Sequence, residues 1–175
     1  MSILAPTSEE DIARAVAKVN EVDLSKIHLN LMDMVEGPGL SAEKCAELED
    51  EYRQLLVGRI LYPDVTFSPS RDMDPFWHYH ILDTRKYMQD CDQLFGYYLH
   101  HEAYLGMEGP ESEAELLKAW AATQELRTML GAPAELVFAG ASAYCGYGTS
   151  PDRPQTTNSS AYCGAGTRPE EDPMP

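Results

Sequence analysis

Basic side chains are scarce in this sequence. It carries 13 Lys and Arg against 29 Asp and Glu, a formal net charge of −16. Phosphate recognition needs clustered cations, so nucleic acid and anionic membrane surfaces are not expected partners. Long apolar runs are also lacking, and no stretch approaches the ~18 residues of a membrane span. The N-terminal MSILAPTSEED has no basic region followed by an apolar run, so no secretory signal is expected. These absences predict a cytoplasmic protein. Cysteine is limited to Cys45, Cys91, Cys145 and Cys163, none of them in a CxxC pair, so no tetrahedral zinc knuckle is encoded. HExxH, a phosphate-cradling glycine loop and a Ser-His-Asp order are missing too.

What is present is helical pattern. Ser8 with Asp11 forms a loose capping box, and Ile12, Ala15, Val16 and Val19 recur at helical spacing. Leu24 to Val35 is a second apolar-periodic run, and His28 within it reads as an ordinary surface or core residue. Glu36-Gly37-Pro38-Gly39 is a break. Ser41 caps a longer helix with Leu40 and Cys45 as a hydrophobic staple and Leu48, Tyr52, Leu55 and Leu56 as its stripe, ended by Gly58 and Pro63. Residues 64–71 read as loop, or at most a short extended piece around Val65-Thr66-Phe67. Asp74-Pro75 is a helix start, with Asp74 as cap and proline where its missing N–H costs nothing. One continuous helix is predicted from there to Phe95, stopped at Gly96. After an aromatic segment, Ser112 or a neighbour caps a last helix through Leu116, Leu117, Trp120 and Leu126 to Leu130. The expectation is an all-α single domain of four to five helices over residues 1–131, followed by a disordered tail over 132–175.

Four of the five histidines, His78, His80, His100 and His101, fall between Asp74 and Gly109. Asp74 and His78 are four apart, one turn along the same side of a helix. His78 and His80 are two apart, about 200° around it, and cannot both reach one ion from a straight helix. His80 and Asp83 are spaced to form a hydrogen-bonded pair that would fix the imidazole tautomer. His100 and His101 face opposite sides of an extended segment, so one of them can return to the helix. The functional reading is one divalent transition metal, zinc or iron, on two or three of these histidines plus Asp74. Asp83, Tyr87 and Trp77 are the candidate supporting residues. The competing reading makes the same residues structural: Asp74 a cap, Trp77 and the histidines core contacts, the whole a non-catalytic interaction module. Cys91 as a nucleophile is disfavoured by its position on the apolar face of a helix.

The run Asp74-x-x-Trp77-His78-x-His80-Ile81-Leu82-Asp83-Thr84-x-x-Tyr87-x-x-Asp90-Cys91, then Leu94-Phe95-Gly96 and Leu99-His100-His101, resembles the glycine-rich domain-containing protein-like family. Glu51-Tyr52-Arg53, Pro63 and Ser68-Pro69-Ser70 are similar to it as well. The resemblance spans roughly residues 20–130. It implies a module built around these histidines, with His101 followed by Glu102 matching the usual ending of the motif, and leaves the chemistry open. Where plant members carry a glycine-rich region, this chain has only a short tail with scattered glycine.

That tail holds a duplication. Ser142–Pro151 reads SAYCGYGTSP and Ser160–Pro169 reads SAYCGAGTRP, which sets Tyr144-Cys145 and Tyr162-Cys163 in the same context. Its composition predicts disorder. Three readings stand together: a low-complexity repeat, a sticky or metal-binding tail with Cys145 and Cys163 as soft ligands or a disulfide pair, or a pair of Tyr-Cys-Gly units that serve as substrate for an enzyme, this protein's own domain included.

Overall fold

The computed structural model describes residues 2–132 and contains six helices with no β-strand among the described residues. The duplicated repeat, with Tyr144, Cys145, Tyr162 and Cys163, lies outside them. In chain order the helices are α1 (Glu9–Asn20), α2 (Ser25–Met32), α3 (Ala42–Leu61), α4 (Asp74–Leu82), α5 (Thr84–Phe95) and α6 (Pro110–Met129). Among the described residues no helix is long and apolar enough to cross a membrane.

The cap signals act locally. Ser8 accepts a hydrogen bond from the Asp11 amide at the head of α1, and Ser41 accepts one from Lys44 at the head of α3. Gly96 ends α5 in the left-handed region, φ 75°, where a side chain would be strained. Pro110 starts α6 at its first turn, so Ser112 is not the cap. The Ser112 hydroxyl instead accepts from the Gly106 amide, 2.6 Å away, and closes the loop before the helix.

Helix α3 is the axle and touches each of the other five helices. That role explains why its buried set, which includes Cys45, Leu48, Tyr52, Leu55 and Leu56, extends beyond a single narrow stripe. Gly58 does not end the helix; α3 continues to Leu61. A Cβ at Gly58 would collide with Leu126 Cδ2 of α6 and press on the Phe67 ring at 3.2 Å. Glycine there permits the close approach of α6. Gly58→Ala is therefore expected to destabilise the protein by about 1–3 kcal/mol, measured by urea unfolding with an unchanged m-value.

Two sequence expectations about the central region change. The helix from Asp74 does not run to Phe95 but breaks at Asp83, which lies between α4 and α5 with ψ 69°. Aspartate is an N-cap residue type, although its side chain makes no capping bond here. The break accounts for six helices rather than five. Asp74 is not a cap either. The residue before α4 is Met73, and the turn leading into it is held by Ser70, whose hydroxyl accepts from the Met73 amide at 3.2 Å.

Residues 67–70 of the loop before α4 are buried. Ser68 and Ser70 are almost fully enclosed. Enclosed backbone needs internal partners. The Thr123 hydroxyl of α6 accepts from the Ser68 amide and donates to its carbonyl, and Glu51 of α3 accepts from the Ser70 amide. Glu51 is itself buried, which raises its pKa against the lowering effect of its Ser70 hydrogen bond and the Arg127 charge. The entry to α4 is thus clamped by two other helices.

Candidate metal centre

The two histidines of α4 go to opposite sides, as a 200° separation requires. His80 points into the core with 1 % of its side chain exposed. Its Nδ1 meets the Tyr52 hydroxyl at 2.9 Å and its Nε2 meets Asp90 Oδ2 at 2.8 Å. Lys86 Nζ lies 2.7 Å from the same carboxylate oxygen. A neutral imidazole satisfies this chain: Tyr52 donates to Nδ1, and Nε2–H donates to Asp90. Burial lowers the His80 pKa, opposed by the Asp90 hydrogen bond. His80 is therefore removed from the candidate ligand set. Its carboxylate partner is Asp90, not Asp83, because the break at Asp83 redirects α5 and brings Asp90 to the ring. Sequence spacing alone missed Tyr52 and Asp90, since both pairings cross helix boundaries.

His78 faces the other way and stays accessible, with 43 % of its side chain exposed. Asp74 sits one turn before it with its carboxylate almost enclosed. The third member arrives from beyond Gly96. His101 returns to the start of α4 and places its Nε2 2.9 Å from Asp74 Oδ1 and 3.2 Å from His78 Nε2. Asp74 Oδ2 lies 3.4 Å from His78 Nε2. His100 does not join; it is exposed and packs its ring on Tyr98 at 5.0 Å between centroids.

The return of His101 is built by Trp77 and Tyr87. The Trp77 indole N–H donates to the Tyr87 hydroxyl at 2.9 Å, and that hydroxyl donates to the Leu99 carbonyl at 2.6 Å. Leu99 is pinned two residues before His101. The Trp77 ring then packs against the His101 ring at 4.6 Å between centroids. Burial drives the Tyr87 pKa far upward, so the hydroxyl stays protonated and able to donate. Asp83, at the helix break, takes no part in this support. Cys91 is buried and its thiol pKa is raised by burial, which disfavours a nucleophilic thiolate.

Hydrogen bonding within the Asp74–His78–His101 group can use only the two Asp74 oxygens as acceptors when both rings are protonated at Nε2. Each Nε2 carries at most one proton, and an ionised carboxylate only accepts. With both rings donating to Asp74, the two imidazole nitrogens face each other at 3.2 Å with no hydrogen bond between them. A cation accepts all three lone pairs at once. Ligands about 2.0–2.1 Å from an ion are separated by about 3.3 Å in a tetrahedron and about 3.0 Å in an octahedron. His101 Nε2 meets Asp74 Oδ1 at 2.9 Å and His78 Nε2 at 3.2 Å, close to that range, and the other Asp74 oxygen lies 3.4 Å from His78 Nε2. Asp74, His78 and His101 are the only group of this kind among the described residues. Burial lowers the His78 pKa, opposed by Asp74, and so favours the neutral, ligating form of the ring at neutral pH.

Residues 17–129, well over half of the 175-residue chain, match the UCP032817-like family. The chain belongs to that family. The match contains all of α2 to α6 and every residue of the triangle. No curated protein and no solved structure matches the chain.

Proposed function

We propose that this UCP032817-like chain is a helical metal-binding module that holds one divalent transition ion, zinc or iron(II), on Asp74 Oδ, His78 Nε2 and His101 Nε2. The observation that carries the reading is the convergence of one ligand atom from each of Asp74, His78 and His101 within 4.8 Å of one another, with His101 Nε2 2.9 Å from Asp74 Oδ1 and 3.2 Å from His78 Nε2. Two imidazoles and one carboxylate suit either ion. Three protein ligands leave at least one coordination position open. The exposed flank of His78 is the side from which water or a substrate reaches it, and such an open position is the mark of a catalytic rather than a structural site. Bound there, the ion would supply Lewis acidity to that ligand. The resemblance to the glycine-rich domain-containing protein-like family supports a site at this motif without assigning a reaction.

The test is cobalt(II) titration of protein purified without a histidine tag and stripped with chelator. A saturable visible spectrum at one ion per chain is expected, and zinc should displace it. Absence of saturable uptake would sink the proposal. Tyr87→Phe is the companion test. It keeps all three ligands but removes the hydroxyl that ties Trp77 to Leu99, and a loss of about 10–100-fold in metal affinity is expected. Unchanged affinity in a folded Tyr87→Phe protein would mean that His101 is positioned by other contacts.

A further inference from the structure

A second site lies behind His101, on the side of α3. A cavity of about 70 Å³, partly open to solvent, lies between α3, the segment before α4 and residues 99–105. It shares Trp77 and His101 with the metal centre, but Asp74 and His78 do not line it. A volume of this kind holds several waters or one molecule of about half a dozen non-hydrogen atoms.

Arg59 marks what belongs there. Its guanidinium lines the cavity and donates from one terminal nitrogen to the Val65 carbonyl. Its Nε–H is buried and has no protein acceptor. No carboxylate lies within ion-pair distance of Arg59 among the described residues, in a chain whose formal charge is −16. Arg59 is half-buried and has no carboxylate partner among the described residues, and the edge formed by its terminal nitrogens is shaped for a planar carboxylate. Leu55, Phe67 and Leu105 supply apolar wall for a short carbon chain. Glu102, an exposed acidic residue, is among the residues that line the cavity, and its charge disfavours a dianion there.

We propose that this cavity binds a small monocarboxylate, its carboxylate on Arg59 and its short apolar end against Leu55, Phe67 and Leu105. The site does not require the metal reading, because Arg59, Leu55, Phe67 and Leu105 take no part in the proposed metal centre.

The probe is sodium acetate, exchanged for sodium chloride at constant ionic strength, with chelator-stripped full-length protein. Tryptophan emission reports binding through Trp77, and Trp120→Phe removes the second of the two tryptophans. A saturable change is expected with half-saturation on the order of 1 mM, the range open to a ligand of so few atoms. Arg59→Gln should raise that concentration at least about tenfold, the loss expected for a charge-assisted contact, and Glu102→Gln should lower it. Leu105→Phe, which fills the space and spares Arg59, should abolish saturation. This serves if Arg59→Gln fails to fold. A non-saturating response, or saturation unchanged in Arg59→Gln or in Leu105→Phe, would overturn the proposal. Because His78→Ala does not touch the cavity, it should bind acetate normally even if the metal centre is lost.

Discussion

His101→Ala should abolish stoichiometric metal uptake while leaving the protein folded. The imidazole is one of the three proposed ligands, and its removal also opens the face of Trp77. Removing a supporting residue outside the ligand set commonly costs 10–100-fold in affinity, so losing a ligand should cost at least about 100-fold. His78→Ala should behave in the same way with a smaller structural cost, because its side chain is far more exposed than that of His101. The measurement is bound zinc or cobalt per chain after equilibration with a competing chelator, beside far-UV circular dichroism as a check on folding. If folded His101→Ala and His78→Ala proteins retain the wild-type metal content, the Asp74–His78–His101 centre is wrong.

His80→Ala is expected to give the opposite pattern. The ring lies in the core between Tyr52 and Asp90, so its loss leaves a cavity and an unsatisfied Tyr52 hydroxyl. Lys86 still neutralises Asp90, which limits the damage. A destabilisation of about 2–4 kcal/mol follows from the cavity and the stranded donor. For a domain of this size that corresponds to a fall of roughly 10 °C in Tm. Metal stoichiometry should persist below the transition, because the ring is turned away from the triangle.

The same residue gives wild-type stability a pH dependence. The folded-state pKa of His80 is below the ordinary value of 6.5. Below pH 6.5 the unfolded chain therefore takes up a proton that the folded core resists. Stability is full above that pH and declines as pH falls toward the lower folded value. Urea midpoints measured from pH 7.5 downward should show this slope in the wild type and a reduced slope in His80→Ala. A variant with wild-type stability and wild-type slope would refute the buried role assigned to His80.

Much of the architecture is local and was legible in the residues. Ser8, Ser41 and Gly96 mark ends that the backbone adopts, because capping satisfies orphaned amides within a few residues. The stripe Cys45, Leu48, Tyr52, Leu55 and Leu56 predicts a buried helix, and α3 is the helix that the others surround. Asp74 and His78 stand on one side because helical geometry puts residues four apart together. That His78 and His80 diverge follows from the same geometry.

What the sequence left open were the directions taken across breaks. Periodicity relates residues within one helix, but it does not set the angle at which the chain leaves Asp83 or Gly96. That angle decides whether His80 meets Asp83 or Asp90, and whether His101 reaches Asp74. Only packing fixes it, through Tyr87 gripping Leu99 and through Glu51 and Thr123 clamping the turn before α4. Asp74 illustrates the division. The sequence makes it a helix-starting aspartate before a proline, and Ser70 takes over the turn so that the carboxylate faces two imidazoles.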